Sequence, residues 1–200
     1  MSFSENLFGP TFVQKLVREQ KRMMVMRICL LMLLVLGVVS CRNDDEADFL
    51  FELPYQTTFT IPAGLDPFQG HFFIRKVDSR MAANLSERTL TEEDILSVDP
   101  RAATMTAVGS NARYNFIREV SVRIYAEDPQ NNPTAPWKEL FYRDDNNLLD
   151  AGSLVDLIPS LVNAREEALE KEFYIVVVLF LRTPSPQSID TRLDFSLIVR

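Results

Sequence analysis

Histidine and cysteine are nearly missing from this 200-residue sequence, which holds one His, His71, and two Cys, Cys29 and Cys41. That scarcity leaves almost no material for a zinc site, a haem ligand pair or a Cys–His nucleophile. No CxxC, HExxH or glycine-rich phosphate loop occurs, and no repeat or low-complexity stretch is visible. Basic residues are outnumbered as well: 21 Lys and Arg face 28 Asp and Glu, for a net charge of -7. Nucleic acid is therefore excluded as a partner, because neutralising phosphates needs a basic face. What is present, 46% hydrophobic and 24% charged residues, is the composition of an ordinary globular domain.

The charge is unevenly placed. Five of the 21 basic residues (Lys15, Arg18, Lys21, Arg22, Arg27) but only two of the 28 acids (Glu5, Glu19) lie in residues 1–40. A basic head on an acidic body is the profile of a targeting segment on an exported domain. Behind Arg27 runs an unbroken apolar stretch, Ile28 to Val39, then Ser40 and Cys41. As a helix rising about 1.5 Å per residue it reaches roughly 18 Å, short of the ~30 Å hydrocarbon core. It reads as the apolar core of a signal peptide rather than a permanent span. A buried core helix is the alternative, but such a helix carries a polar stripe at period 3.6 and this run has none.

Val38-Val39-Ser40-Cys41 resembles a bacterial lipobox, with Val38 where Leu is usual and Ser40 where Gly or Ala is common. The resemblance implies cleavage after Ser40, a diacylglyceryl group on the Cys41 thiol and acylation of the new amino terminus. One acyl chain binds a bilayer only marginally, at about 0.8 kcal/mol per buried CH₂, whereas several hold stably. Cys29 would leave with the signal and Cys41 would be consumed by lipid, so the mature chain would rely on its core alone. A Cys29–Cys41 disulfide is the competing reading. The acids Asp44, Asp45 and Glu46 resemble the export signal of Bacteroidota outer-membrane lipoproteins, implying the outer face of the outer membrane. A solvated linker, with the protein on the periplasmic face, is the alternative.

The expected organisation follows. Residues 1–22 are a mis-assigned start or a long n-region, with Met23, Met24 and Met26 as internal starts. Residues 23–40 are the lipoprotein signal peptide, 41–56 a lipidated acidic tether and 57–200 the folded domain. The domain shows short apolar segments separated by Pro, Asn, Asp and Gly, the pattern of a mostly β, antiparallel β-sandwich. Strands are expected at Thr57–Ile61, His71–Val77, Glu119–Ala126, Lys138–Arg143, Phe173–Leu181 and Arg192–Arg200. FYIVVVLFL is apolar on both faces and is expected to be a central strand. One or two short helices are expected, one beginning at Thr91–Asp94 and a better one over Ser160–Lys171, with Leu161, Ala164, Ala168 and Leu169 on one face. With its FTIPAG start and long edge loop, the body also resembles uncharacterised Bacteroidota β-sandwich lipoprotein domains, a likeness that brings no catalytic residues.

No catalytic constellation stands out, and no cofactor or metal is expected. His71 has no G-x-S-x-G partner, since Gly109-Ser110 lacks the flanking pattern. Glu92-Glu93-Asp94 are neighbours that point apart on a helix. Asp144-Asp145-Asn146-Asn147 with Asp150 gathers oxygen ligands but breaks the EF-hand order, so a turn is the simpler reading than calcium. Trp137, the only Trp, ends a proline-rich loop where it could stack on a sugar, anchor a partner or cap the sandwich edge; the same holds of Tyr125 and Tyr142. The expected function is a non-catalytic, lipid-anchored binding module for a glycan, lipid or protein at the outer membrane. The alternative is an assembly accessory of an outer-membrane protein complex, with an enzyme third. The lipid reading predicts that Cys41→Ala releases the protein from the membrane fraction; retention of the variant there contradicts it.

Overall fold

Alternation at period two decides most of the architecture. The computed structural model describes residues 49–109, 112–144 and 148–200, so the signal segment, Cys41, the acids at 44–46, Ser110 and residues 145–147 lie outside the described residues. Eight strands form: β1 (Phe51–Ile61), β2 (Gly70–Asp78), β3 (Val98–Ala107), β4 (Ile117–Tyr125), β5 (Trp137–Arg143), β6 (Leu154–Pro159), β7 (Glu172–Leu181) and β8 (Ile189–Val199). Two short helices, α1 (Met81–Glu87) and α2 (Arg165–Leu169), and a 3-10 turn at Glu92–Asp94 complete the body. The body is thus mostly β, with every ladder antiparallel.

The strands hydrogen-bond in the order β1-β8-β3-β6-β5-β4-β7-β2. β6 joins the two halves of that order: Leu154–Leu157 pair with β3, whereas Ile158 and Pro159 pair with Tyr142 and Phe141 of β5. The terminal strands, β1 and β2, share no ladder but lie side by side, so the sheet is nearly closed. Across this seam Arg75 Nε donates to the Thr58 carbonyl at 2.6 Å, and the Phe59 and Phe73 rings meet at 4.9 Å.

Inward residues recur at every second position. On β1 they are Phe51, Leu53, Tyr55, Phe59 and Ile61, and on β8 Leu193, Phe195, Leu197 and Val199. They meet Val120, Val122 and Ile124 of β4 and Phe173, Ile175, Val177 and Leu179 of β7 in one core. β7 lies between β4 and β2 and is buried on both faces over Ile175–Leu179, as its sequence requires. Polar groups in this core are paired: Tyr114 donates to Thr191 Oγ1 at 2.9 Å, and burial pushes the Tyr114 phenol up to about 12.

Several expectations shift. β1 begins at Phe51, inside the stretch expected to be tether, because Pro54 faces outward on an edge strand where its missing N–H costs no ladder bond. β3 and β6 were not expected at all. β3 holds Pro100 in its interior, tolerated by the bulge between Pro100 and Ala102. The helix expected over Ser160–Lys171 shrinks to Arg165–Leu169, and Leu161 is fully exposed rather than on a buried face. Tertiary bonds override propensity there: Ser160 N bonds the Leu140 carbonyl, Ala164 N the Val98 carbonyl, and Asn163 Oδ1 accepts from Val98 N at 3.1 Å. The Thr91–Asp94 turn forms as expected, held by the Asp94 carboxylate, which accepts from the Thr91 backbone N–H and hydroxyl and so titrates below its usual range.

Candidate functional site

The outward face of β1, β8 and β3 is built from register. Gln56, Asp194 and Thr104 stand side by side on one rung, which Asp156 of β6 extends. Gln56 Nε2 donates to Asp194 Oδ1 at 2.7 Å, Arg192 Nε to Asp194 Oδ2 at 2.7 Å, and Thr104 Oγ1 to Asp156 Oδ1 at 2.9 Å. On the neighbouring rung stand Pro54, Ser196 and Ala102, none with a long side chain. The step between the two rungs opens a cleft of about 770 Å³. It extends over the seam to Lys76, Asp78 and Arg80. That volume lies in the ~300–1,000 Å³ range of small-molecule sites.

The seam end of the cleft is held under strain. Arg80 has φ 55°, the left-handed region, which costs a non-glycine residue about 1–3 kcal/mol and persists only when its surroundings fix it. They do: Arg80 N–H donates to Asp78 Oδ1 at 3.0 Å, its guanidinium donates to the Pro54 carbonyl, and its Cζ lies 5.0 Å from the Tyr55 ring centre. Lys76 pairs with Glu172 at 2.5 Å, and the hydrogen bond to that carboxylate raises the ammonium pKa. A smaller hollow of about 350 Å³ lies further along β1 at Thr58, Thr60, Arg75 and Asp190.

Trp137 is elsewhere. It opens β5, paired with Tyr125 of β4, and is 46% exposed. The Arg123 guanidinium lies 4.0 Å from its ring centre. Ser121 aims that arginine, accepting from Arg123 Nε at 3.2 Å while donating to Glu139 Oε1 at 2.6 Å. One indole face is therefore occupied by a cation rather than open to a sugar. The loop before Trp137 is shaped by its own side chains: Asp128 Oδ1 accepts from Gln130 N, and Asn132 Oδ1 from Thr134 Oγ1. Beside Trp137 the outward face of β4, β7 and β2 is apolar, with Tyr125, Val176 and Val178 buried among Ile74, Tyr174 and Phe180, and Phe72 standing exposed.

The remaining candidates are dispersed. His71 Nε2 donates to the Asp66 carbonyl at 2.7 Å at the start of β2, and Glu92 lends its carbonyl to Arg165 Nη2. Of the acidic loop, residues 145–147 lie outside the described residues; Asp150 offers its carbonyl to Arg113 at 3.4 Å. Among the described residues no cluster of His, Cys, Asp and Glu could hold a metal ion, and no helix is long and apolar enough to cross a membrane. The cleft residues were not singled out from the sequence. Their alternation was readable, but the register that sets Gln56, Asp194 and Thr104 abreast was not.

No family model matches the chain, and no curated protein matches it. Among solved structures, a chain from Desmodium yellow mottle tymovirus aligns at 10% identity over 74% of this chain and 86% of that one, with a TM-score of 0.22. A likeness that slight carries no argument.

Because Trp137 is the sole tryptophan, its fluorescence reports on Arg123 directly. Arg123→Ala is expected to increase acrylamide quenching and shift the emission to the red. Unchanged quenching would show that the guanidinium does not cover the ring in solution.

Proposed function

We propose that this chain is a non-catalytic, lipid-anchored envelope protein that binds a small hydroxyl-rich ligand, such as a saccharide, at the outer membrane surface. In this reading Val38, Val39 and Ser40 precede the cleavage point, Cys41 carries the acyl chains, and Asp44, Asp45 and Glu46 direct the protein to the cell surface. The two halves of the strand order, β1-β8-β3-β6 and β5-β4-β7-β2, then pack as the two layers of a β-sandwich with jelly-roll connections. The single observation that carries the binding reading is the cleft over β1, β8 and β3.

Its chemistry suits neutral hydroxyl groups. Asp194 accepts one bond on each oxygen, and a carboxylate has about four lone-pair sites, so two remain for a ligand. Gln56, Thr104 and Ser196 add amide and hydroxyl groups, and Pro54 and Ala102 an apolar floor. Among the lining residues Lys76 and Arg80 are balanced by Asp78 and Asp194, which leaves the cleft without a dominant charge of either sign.

Phe72 and Trp137, exposed at the two margins of the apolar face whose centre is already buried, favour a second reading, in which the protein is an assembly accessory bound to an outer-membrane protein through those aromatics.

A saccharide array with the purified chain, followed by titration of each hit, separates the two. The cleft reading expects Asp194→Ala to weaken binding by about tenfold or more, the equivalent of one hydrogen bond to a charged group, while Trp137→Ala leaves it unchanged. Absence of any hit, together with stoichiometric recovery of an outer-membrane protein after in-cell cross-linking, would replace the cleft reading with the accessory one.

A further inference from the structure

Four large apolar side chains, Phe49, Leu50, Leu96 and Leu161, stand exposed at the end of the body where the chain enters β1. Hydrogen bonds fix the segments that carry Leu50, Leu96 and Leu161 there. Leu50 N–H donates to the Val199 carbonyl at 2.7 Å, and Leu96 N–H to the Arg200 carbonyl at 2.5 Å. The loop carrying Leu161 is tied to the same end by Asn163, whose side chain bonds both Val98 N and the Leu96 carbonyl. Leu96 is 80% exposed and Leu161 fully so, although both sit in segments otherwise held by hydrogen bonds.

We infer that this end is a membrane-contacting tip, whose four apolar side chains enter the headgroup region of the bilayer that holds the anchor. The inference rests on the lipidation reading and adds to it which part of the body faces the lipid. Eight residue steps separate Cys41 from Phe49, a reach of at most about 29 Å when fully extended, so an acylated Cys41 keeps this end near the bilayer. The far end of β1, roughly 35 Å away along a strand of this length, also exposes large apolar side chains, Phe68, Val108, Leu149 and Leu154. They reach the bilayer only if the body lies flat.

Charge specifies the kind of surface. Arg101 is paired with Glu52 at 2.5 Å and Arg200 with Asp99 at 3.4 Å, while Glu92 and Glu93 stand on the 3-10 turn beside Leu96. Arg165, at the same end, donates to the Ile95 and Glu92 carbonyls, and Glu52, Asp99, Glu92 and Glu93 together offset these three arginines, so contact is apolar and favours a zwitterionic surface over a strongly anionic one.

The test uses the full chain, expressed with its own leader, with Leu161→Cys or Phe68→Cys carrying an environment-sensitive fluorophore. Each is reconstituted into phosphatidylcholine vesicles containing lipid spin-labelled near the headgroup, and intact mass reports the state of Cys41. Quenching at position 161 is expected to exceed that at 68 by about threefold or more, and Leu96→Asn to reduce it. Equal quenching at the two positions, or stronger quenching at 68, overturns the tip. If the mass shows no acyl chain, the lipidation reading fails by itself; the comparison is then repeated with added vesicles and with Cys29 and Cys41 replaced by Ser. Quenching confined to 161 still supports the tip, and its absence overturns it.

Discussion

The side chain of Tyr55 holds together what the backbone leaves apart. β1 and β2 are the two ends of the strand order and share no ladder, so their edges are exposed to fraying or to pairing with another chain. Tyr55, on β1, stacks on Phe195 of β8 with ring centres 5.0 Å apart and meets Phe173 of β7 edge-on at 5.4 Å. Its hydroxyl donates to the carbonyl of Ser79, just past β2, at 2.6 Å. Ser79 in turn donates its own hydroxyl to the Ala168 carbonyl of α2. One buried aromatic thus touches both halves of the strand order and both sides of the seam. Burial drives its phenol pKa upward, which favours the protonated form that donates this bond.

The cleft depends on the same joint. Its seam wall is Lys76, Asp78 and Arg80, and Arg80 keeps its left-handed backbone because Asp78, Pro54 and the Tyr55 ring each hold part of it. Its floor and opposite rim come from β8 and β3, whose register fixes Asp194 between Gln56 and Thr104. Closing the sheet and shaping the cleft are therefore one packing problem. The apolar face around Val176 and Val178 is separate from it, on strands β4, β7 and β2.

Strands with strong contrast between their faces, or none, were legible. FYIVVVLFL announced a strand covered on both sides, and the alternation of β4 and β8 identified their inward residues. β3 was not legible, because DPRAATMTA places Pro100 and small alanines where large apolar residues would mark a buried face; the bulge between Pro100 and Ala102 accommodates the proline. β1 was half legible, its start hidden by Pro54, although Phe51, Leu53 and Tyr55 already alternate. Residues 160–164 read as helix because propensity is local, whereas their bonds to Leu140 and Val98 are not. Trp137 stood out as the sole tryptophan at the end of a proline-rich loop, but neither its exposure nor the cation over it was readable, because both depend on cross-strand placement of Tyr125 and Arg123. The cleft is a product of register between strands more than a hundred residues apart in sequence, such as β1 and β8, and no local pattern encodes that.

The most direct test of this account is hydrogen exchange, residue by residue, on Tyr55→Phe. The substitution keeps the ring contacts and removes only the bond to the Ser79 carbonyl. Amides of β1 and β2 are expected to lose about 1–2 kcal/mol of protection together, while those of β4 and β5 keep theirs. Unchanged protection along β1 and β2, or an equal loss in all eight strands, would contradict the claim that this side chain joins the two edges.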